Sequence, residues 1–263
     1  MCIGPPAGKL KTRSANVPAI PHQRQRMSDW IILCDFDGTI SVEDVTDSLL
    51  ERHAHPDWMA LEERWKSGAI GSHDCMADQI GLIDADRRQL DALFASMRID
   101  RMFPAFVEAA LTARIPIRIV SDGLDLAIES ILARHQLEHL PISANKLDPD
   151  GERRWKLSFP NADDDCKVAS GMCKCAKVAK AREQKKKVLL IGDGASDFCA
   201  AGAVDLVFAK HRLIEHCRSH GLPYIPITGF EDALVLLPSL IEGTLTPVAP
   251  AHDAGQVARL VSR

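Results

Sequence analysis

Apolar positions along the chain fall in short unbroken runs that stop abruptly. Trp30-Ile31-Ile32-Leu33-Cys34 stops at Asp35-Phe36-Asp37-Gly38-Thr39. Ile115-Pro116-Ile117-Arg118-Ile119-Val120 stops at Ser121-Asp122-Gly123, and Val188-Leu189-Leu190-Ile191 stops at Gly192-Asp193-Gly194. Short apolar runs closed by turn residues predict strands buried on both faces. Asp205-Leu206-Val207-Phe208-Ala209 predicts a fourth. Helical periodicity fills the intervals, near 43–53, 57–67, 72–82 and 86–97, with breaks at Pro56, 68–71 and 84–86. Further helices are predicted at 104–113, 126–135, 174–187, 211–219 and 230–242. Asp148-Pro149-Asp150-Gly151 is a turn signal between 142–146 and 154–159, which predicts a β-hairpin.

Strands alternating with helices imply an α/β fold with a mainly parallel, Rossmann-like sheet covered on both faces. The four helices at 43–98 have no strand among them and predict a small helical insert after the first strand. The expected division is a core of 27–42 and 99–244, the insert at 43–98, a disordered extension at 1–26 and a mobile tail at 245–263. Met27 is a plausible natural start, because it leads straight into the first strand. The 263 residues, 46% of them hydrophobic, suffice for one large domain with a small accessory module. The net charge of -4 lacks the basic footprint of a nucleic-acid binder. No apolar run approaches the roughly 20 residues that span a bilayer. With eight cysteines, a normal apolar core and no export signal, the expected setting is reducing and cytoplasmic, as monomer or homodimer. Cys166, Cys173 and Cys175 are too few and too tightly spaced for a four-ligand zinc site, so they are read as small apolar fillers and a free thiol.

In parallel α/β sheets functional groups gather beyond the carboxyl ends of the strands. Three such ends here carry Asp35, Asp37 and Thr39; Ser121, Asp122 and Gly123; Asp193 and Asp197. One such cluster is ordinary turn chemistry. Three in register suit a small phosphate monoester as partner. A dianion among aspartates demands a cation, and oxygen-only ligands favour Mg2+, with Asp35 and Asp193 as its carboxylates. Asp35 can attack phosphorus, while Asp37 can protonate the leaving alkoxide and later activate water. Thr39 and Ser121 supply hydroxyl donors, and a lysine balances charge on the transferring group.

Asp35-Phe-Asp-Gly-Thr39, Ser121, a helix-borne lysine and Gly192-Asp-Gly-Ala-Ser-Asp197 resemble the four motifs of the haloacid dehalogenase (HAD) superfamily. The resemblance covers about 30–230. It implies Asp35 as nucleophile, Asp37 as acid/base, and Asp35, Asp193 and the Asp37 carbonyl on Mg2+, with Asp197 behind them. Lys177 best matches the third-motif lysine and Lys174 comes next. The insert resembles the cap of the phosphoserine-phosphatase-like branch, which places Asp44 against substrate or cap. The competing reading of Asp44 is a helix N-terminal acid. Trp58, Met59 and Trp65 line the pocket or form cap core.

Pro56-Asp-Trp-Met-Ala-Leu61, Cys166-Lys167, Cys173-Lys-Cys175 and Asp205-Leu-Val-Phe-Ala209 with Leu213-Ile-Glu-His-Cys217 resemble phosphatases of methionine salvage more closely. This implies 2-hydroxy-3-keto-5-methylthiopentenyl-1-phosphate as substrate. The chain departs from that pattern in carrying Asp122 where a glycine is expected, and fewer cysteines near Cys173. Phosphoserine hydrolysis, with Arg64, Arg87 or Arg88 meeting the carboxylate, phosphotransfer to a second substrate, and an inactive binding protein on the same fold are the alternatives.

Overall fold

The computed structural model describes Met1 and residues 28–166 and 168–248. The expected extension, the Met27 start, Lys167 and the stretch from 249 onward lie outside the described residues. Seven strands form one sheet in the order β4-β3-β2-β1-β5-β6-β7. They are β1 (Trp30–Cys34), β2 (Ile117–Leu124), β3 (Ile142–Pro149), β4 (Trp155–Ser158), β5 (Lys187–Gly192), β6 (Leu206–Ala209) and β7 (Tyr224–Pro226). All neighbours pair in parallel except β3 and β4, which form the expected antiparallel hairpin. β7 was not expected. Pro223 and Pro226 bracket it, and proline in a strand is tolerated at a sheet edge.

Alternate residues of the central strands enter different cores. Ile32, Cys34, Leu189, Ile191 and Phe208 join one apolar cluster, while Ile31, Leu33, Val188, Leu190 and Val207 join the other. This is the two-period of a strand, and it explains why these runs are apolar throughout. The first cluster takes in α5 (Phe103–Thr112), α6 (Asp125–Ala133) and α10 (Phe230–Glu242). The second takes in α7 (Lys174–Glu183), α8 (Phe198–Ala201) and α9 (His211–Ser219).

Between β1 and α5 lie α1 (Val45–His53), α2 (Trp58–Lys66), α3 (Ser72–Gly81) and α4 (Arg87–Ser96). An antiparallel bridge between Ser41 and Ile99 closes the base of this segment, and Arg98 pairs with Glu43 beside it. Asp44 caps α1 through the Asp47 N–H at 2.8 Å, and Asp86 with Gln89 forms a capping box on α4. The hairpin braces the far side. Trp155 Nε1 donates to the Ala85 carbonyl at 2.9 Å, and Arg153 reaches Asp84 and Gln89.

The first residues of the expected tail, 245–248, are described. Leu245 packs on the first core and the Val248 N–H donates to the Tyr224 carbonyl at 2.9 Å, alongside β7. Among the described residues, no helix is long and apolar enough to cross a membrane.

Candidate active site

The carboxyl ends of β1, β2 and β5 meet under the helical segment, where a cavity of about 360 Å³ opens. Asp35 follows β1 directly and is 4% exposed. The chain then turns back, with the N–H groups of Thr39, Ile40 and Ser41 all donating to the Phe36 carbonyl. Gly38 makes this turn at φ +67°, and a Cβ there would lie 2.6 Å from Asp193 Oδ2. The turn brings Asp37 to the start of α1, where its Oδ1 accepts from the Val45 N–H at 2.9 Å. Its other oxygen faces Gly123, where a Cβ would lie 2.3 Å away. Glycine is required at 38 by conformation and at 123 by close approach.

β2 runs on to Leu124, past the end expected at Val120. Its register against β3 shifts between Val120 and Leu124, and that irregularity holds Ser121, Asp122 and Gly123. Bulges of this kind re-aim side chains near active sites. Ser121 Oγ accepts the Gly123 N–H at 3.0 Å. After β5, Asp193 accepts the Thr39 hydroxyl at 3.2 Å. Asp197 Oδ2 accepts the N–H groups of Asp193 and Gly194 at 3.0 and 3.3 Å, which fixes the loop.

The lysine in this centre is Lys174, which corrects the expectation of Lys177. Lys174 Nζ is buried 2.8 Å from Asp35 Oδ2 and 2.6 Å from Asp197 Oδ1. Lys177 Nζ instead donates to Asn161 Oδ1 at 2.6 Å. The reason is helical geometry. α7 begins at Lys174 and runs back along the sheet, so only its first turn reaches the strand ends. Three residues further on is about 4.5 Å along the axis.

Asp122 lines the cavity, but its carboxylate has three protein donors. Ser72 Oγ donates at 2.7 Å, the Met172 N–H at 2.9 Å and Asn145 Nδ2 at 3.1 Å. It thereby joins α3, β3 and the approach to α7. Asp44 lines the cavity and caps α1. Trp65 lines the cavity, Trp58 packs on the core, and Met59 is 54% exposed and does neither. Arg64, Arg87 and Arg88 are outside the lining. Arg87 pairs with Asp91, and Arg88 with Asp86.

Three polar residues of the site were not anticipated. Ser196 Oγ lies 2.9 Å from Lys174 Nζ and 3.3 Å from Asp35 Oδ2. Lys210, buried at the end of β6, donates to the Gly38 and Thr39 carbonyls at 2.8 and 3.2 Å. Arg212, on α9, lines the cavity. The position of Lys210 just after the fourth apolar run was the available signal.

The carboxylates are crowded. Burial and then Asp197 push Asp35 up to about 8 against the pull of Lys174. Burial and then Asp44 push Asp37 well above its ordinary value, although the Val45 N–H pulls it down. Asp193 is raised by burial and by Asp197. Burial favours the neutral form of Lys174, but Asp197 and Asp35 outweigh it and raise its pKa. Among the described residues, Asp35, Asp193 and Asp197 are the group with oxygens close enough together, within 4.8 Å, to hold a metal ion. Cys166, Cys173 and Cys175 form no such group, whereas Cys175 Sγ lies 3.2 Å from Cys199 Sγ.

The sequence profile of the haloacid dehalogenase-like hydrolases matches residues 32–202. A 2-hydroxy-3-keto-5-methylthiopentenyl-1-phosphate phosphatase of Brevibacillus brevis is 30% identical over 210 residues, 79% of this chain and 94% of its own. The protein of the same name in Lysinibacillus sphaericus is 31% identical over 219 residues, 81% of this chain and 95% of its own. Among solved structures, a HAD family hydrolase of Salmonella enterica serovar Typhi superposes with TM-score 0.62 at 21% identity, over 83% of this chain and 73% of that one. A phosphoserine phosphatase, captured as an analogue of its phospho-aspartyl intermediate, gives 0.61 at 16% identity, over 80% and 99%. At these identities the structural likeness speaks for the fold alone.

Proposed function

This chain belongs to the haloacid dehalogenase-like hydrolases and is a phosphoric monoester hydrolase, and from that premise we propose that it cleaves a small monoester through an aspartyl-phosphate on Asp35. The observation that carries the reading is the pair Asp35 and Asp37. One carboxylate is held by a buried lysine, and the other is held, with a raised pKa, at the mouth of the helical segment.

Lys174 and Ser196 orient Asp35 Oδ2, and the Phe36 N–H holds Oδ1 at 2.8 Å. Asp35 attacks phosphorus while the bond to the leaving oxygen breaks. Asp37 begins protonated and gives its proton to that oxygen. Now ionised, it takes a proton from the water that hydrolyses the acyl-phosphate. Ser121 and the 121–123 backbone bind phosphate oxygens. The oxygen-only donor set fits Mg2+, which when bound would neutralise charge on the transferring group. Asp35 and Asp193 would hold it, with Asp197 behind them tied to Lys174 and two N–H groups. The segment 43–98 serves as a cap that excludes water, and Asp37 is tied to its first helix.

The substrate named for the bacterial relatives, 2-hydroxy-3-keto-5-methylthiopentenyl-1-phosphate, is the first candidate. Phosphoserine fits less well, because no arginine of α1–α4 lines the cavity to meet a carboxylate. The apolar cores on both faces of the sheet need no disulfides to hold the fold, which supports a reducing, cytoplasmic setting.

The test is phosphate release with Mg2+ from that substrate and from p-nitrophenyl phosphate. D35N is expected to abolish turnover in a folded protein, and D37N to lower kcat by about 10²–10⁴-fold. Substantial activity in folded D35N would remove Asp35 from the nucleophile role.

A further inference from the structure

Among the described cysteines, Cys34, Cys75, Cys173 and Cys217 are buried, whereas Cys166, Cys175 and Cys199 keep part of their surface in solvent. Two of these three face each other. Cys175 Sγ lies 3.2 Å from Cys199 Sγ, although 24 positions separate them in the chain. Cys166 Sγ lies instead beside Ser170 Oγ at 3.5 Å. Neither Cys175 nor Cys199 lines the cavity, and the phosphate chemistry proposed above uses neither.

Their place in the fold ties them to the aspartates. Each is the second residue of its helix: Cys175 follows Lys174 at the start of α7, and Cys199 stands in α8 two residues past Asp197. Between them in the chain run β5, Asp193 and Ser196. Lys174 Nζ lies 2.6 Å from Asp197 Oδ1 and 2.9 Å from Ser196 Oγ, so the thiol pair and the buried ion pair span one junction between the starts of α7 and α8. The same lysine orients Asp35.

We propose that Cys175 and Cys199 are a redox modification site, a dithiol that hydrogen peroxide converts to a disulfide and through which oxidation lowers the activity of the phosphate centre. One sulfur, as thiolate, attacks a peroxide oxygen. The O–O bond breaks, a sulfenic acid forms and the other oxygen leaves as water. The second thiol then displaces the sulfenic oxygen as a second water, and the S–S bond forms. Two electrons and two protons pass from the dithiol to the peroxide. A thiol reductant reverses the step by exchange, so the pair rests reduced in a reducing compartment. The contact between the sulfurs is what favours a disulfide here, because the resolving thiol is in place when the sulfenic acid appears. Bonded sulfurs stand about 2.05 Å apart, so closure draws the two helix starts together by roughly 1 Å. Lys174 and Asp197 are one and two residues from the bonded pair. A displacement of about 1 Å in a catalytic centre can cost about 10²-fold in rate.

The test treats the reduced full chain with hydrogen peroxide, maps its peptides by mass spectrometry, and follows p-nitrophenyl phosphate hydrolysis with Mg2+ before and after dithiothreitol. The expected result is a Cys175–Cys199 cross-linked peptide, with a kcat/KM lowered at least about tenfold and restored by the reductant. C175S and C199S are expected to keep the activity of the reduced chain and to hold it under peroxide. No cross-link, a cross-link through Cys166 in its place, or a cross-linked chain of unchanged activity would overturn the inference. So would an equal loss in C199S, which would place the oxidation elsewhere. A reduced chain that hydrolyses nothing would count against the phosphatase reading alone, and the peptide map would still decide whether the disulfide forms.

Discussion

Lys174 opens α7 and lies between two buried carboxylates, whereas Lys177, one turn on, is only partly buried and bonds a neutral amide. The two lysines are therefore expected to differ sharply on substitution. K174M leaves Asp35 and Asp197 together without their cation, and breaking a buried pair in this way costs roughly 3–5 kcal/mol. K177M loses a single hydrogen bond, worth about 1 kcal/mol. Urea denaturation of both variants measures the difference, and turnover is expected to vanish in K174M alone. Equal effects would return Lys177 to consideration. At Gly38 and Gly123 the backbone meets carboxylates too closely for any side chain, which ties each glycine to a particular aspartate.

Among the elements, the β3–β4 hairpin holds the helical segment over the site. Trp155 is 5% exposed, joins the first core, and satisfies the Ala85 carbonyl just ahead of α4. W155A removes a large buried ring and orphans that carbonyl, so a loss of about 3–5 kcal/mol is expected in urea denaturation. A loss well below this would mean that the segment stands without the hairpin. A second tie is Ser72 to Asp122, which joins α3 to the bulge in β2. The hairpin was readable as a turn between two runs. Its function as a brace was not, because Trp155 and Ala85 are 70 residues apart.

For the molecule as a whole, a metal at the proposed site would compete with the proton for the same carboxylates. In the metal-free protein Asp35 is raised from 3.8 to about 8, so the folded state holds a proton that the unfolded chain has released. The corresponding stability is full below about 4 and is lost as pH rises toward 8. Mg2+ bound as proposed would replace that proton, so its effect on Tm is expected to be small at pH 6 and largest at pH 8 and above. At a concentration of 100 Kd it adds about 2.7 kcal/mol. Thermal melts with and without Mg2+ across this range check the sign, and D193N is expected to lose the gain. A gain that shrinks with rising pH would contradict proton displacement.

The sequence by itself determined the α/β class, the order of elements and the aspartates of the centre. The reason is local: an apolar run is a strand wherever it lies in a sheet covered on both faces, and the groups just past its end stand at the carboxyl edge. It did not reveal β7, whose three residues follow Pro223, end in Pro226 and gain their strand pairing from β6. It also could not choose between Lys174 and Lys177, because that choice depends on where α7 starts and which way it runs against the sheet. Ser196 and Lys210 likewise became visible only when β5 and β6 were placed beside β1, since each acts on groups more than 150 residues away. The acids that α1 and α2 bring to the cavity have the same origin. Asp44 carried two readings in sequence and Asp47 and Glu62 carried none, and only folding α1–α3 over the strand ends brings all three to the cavity.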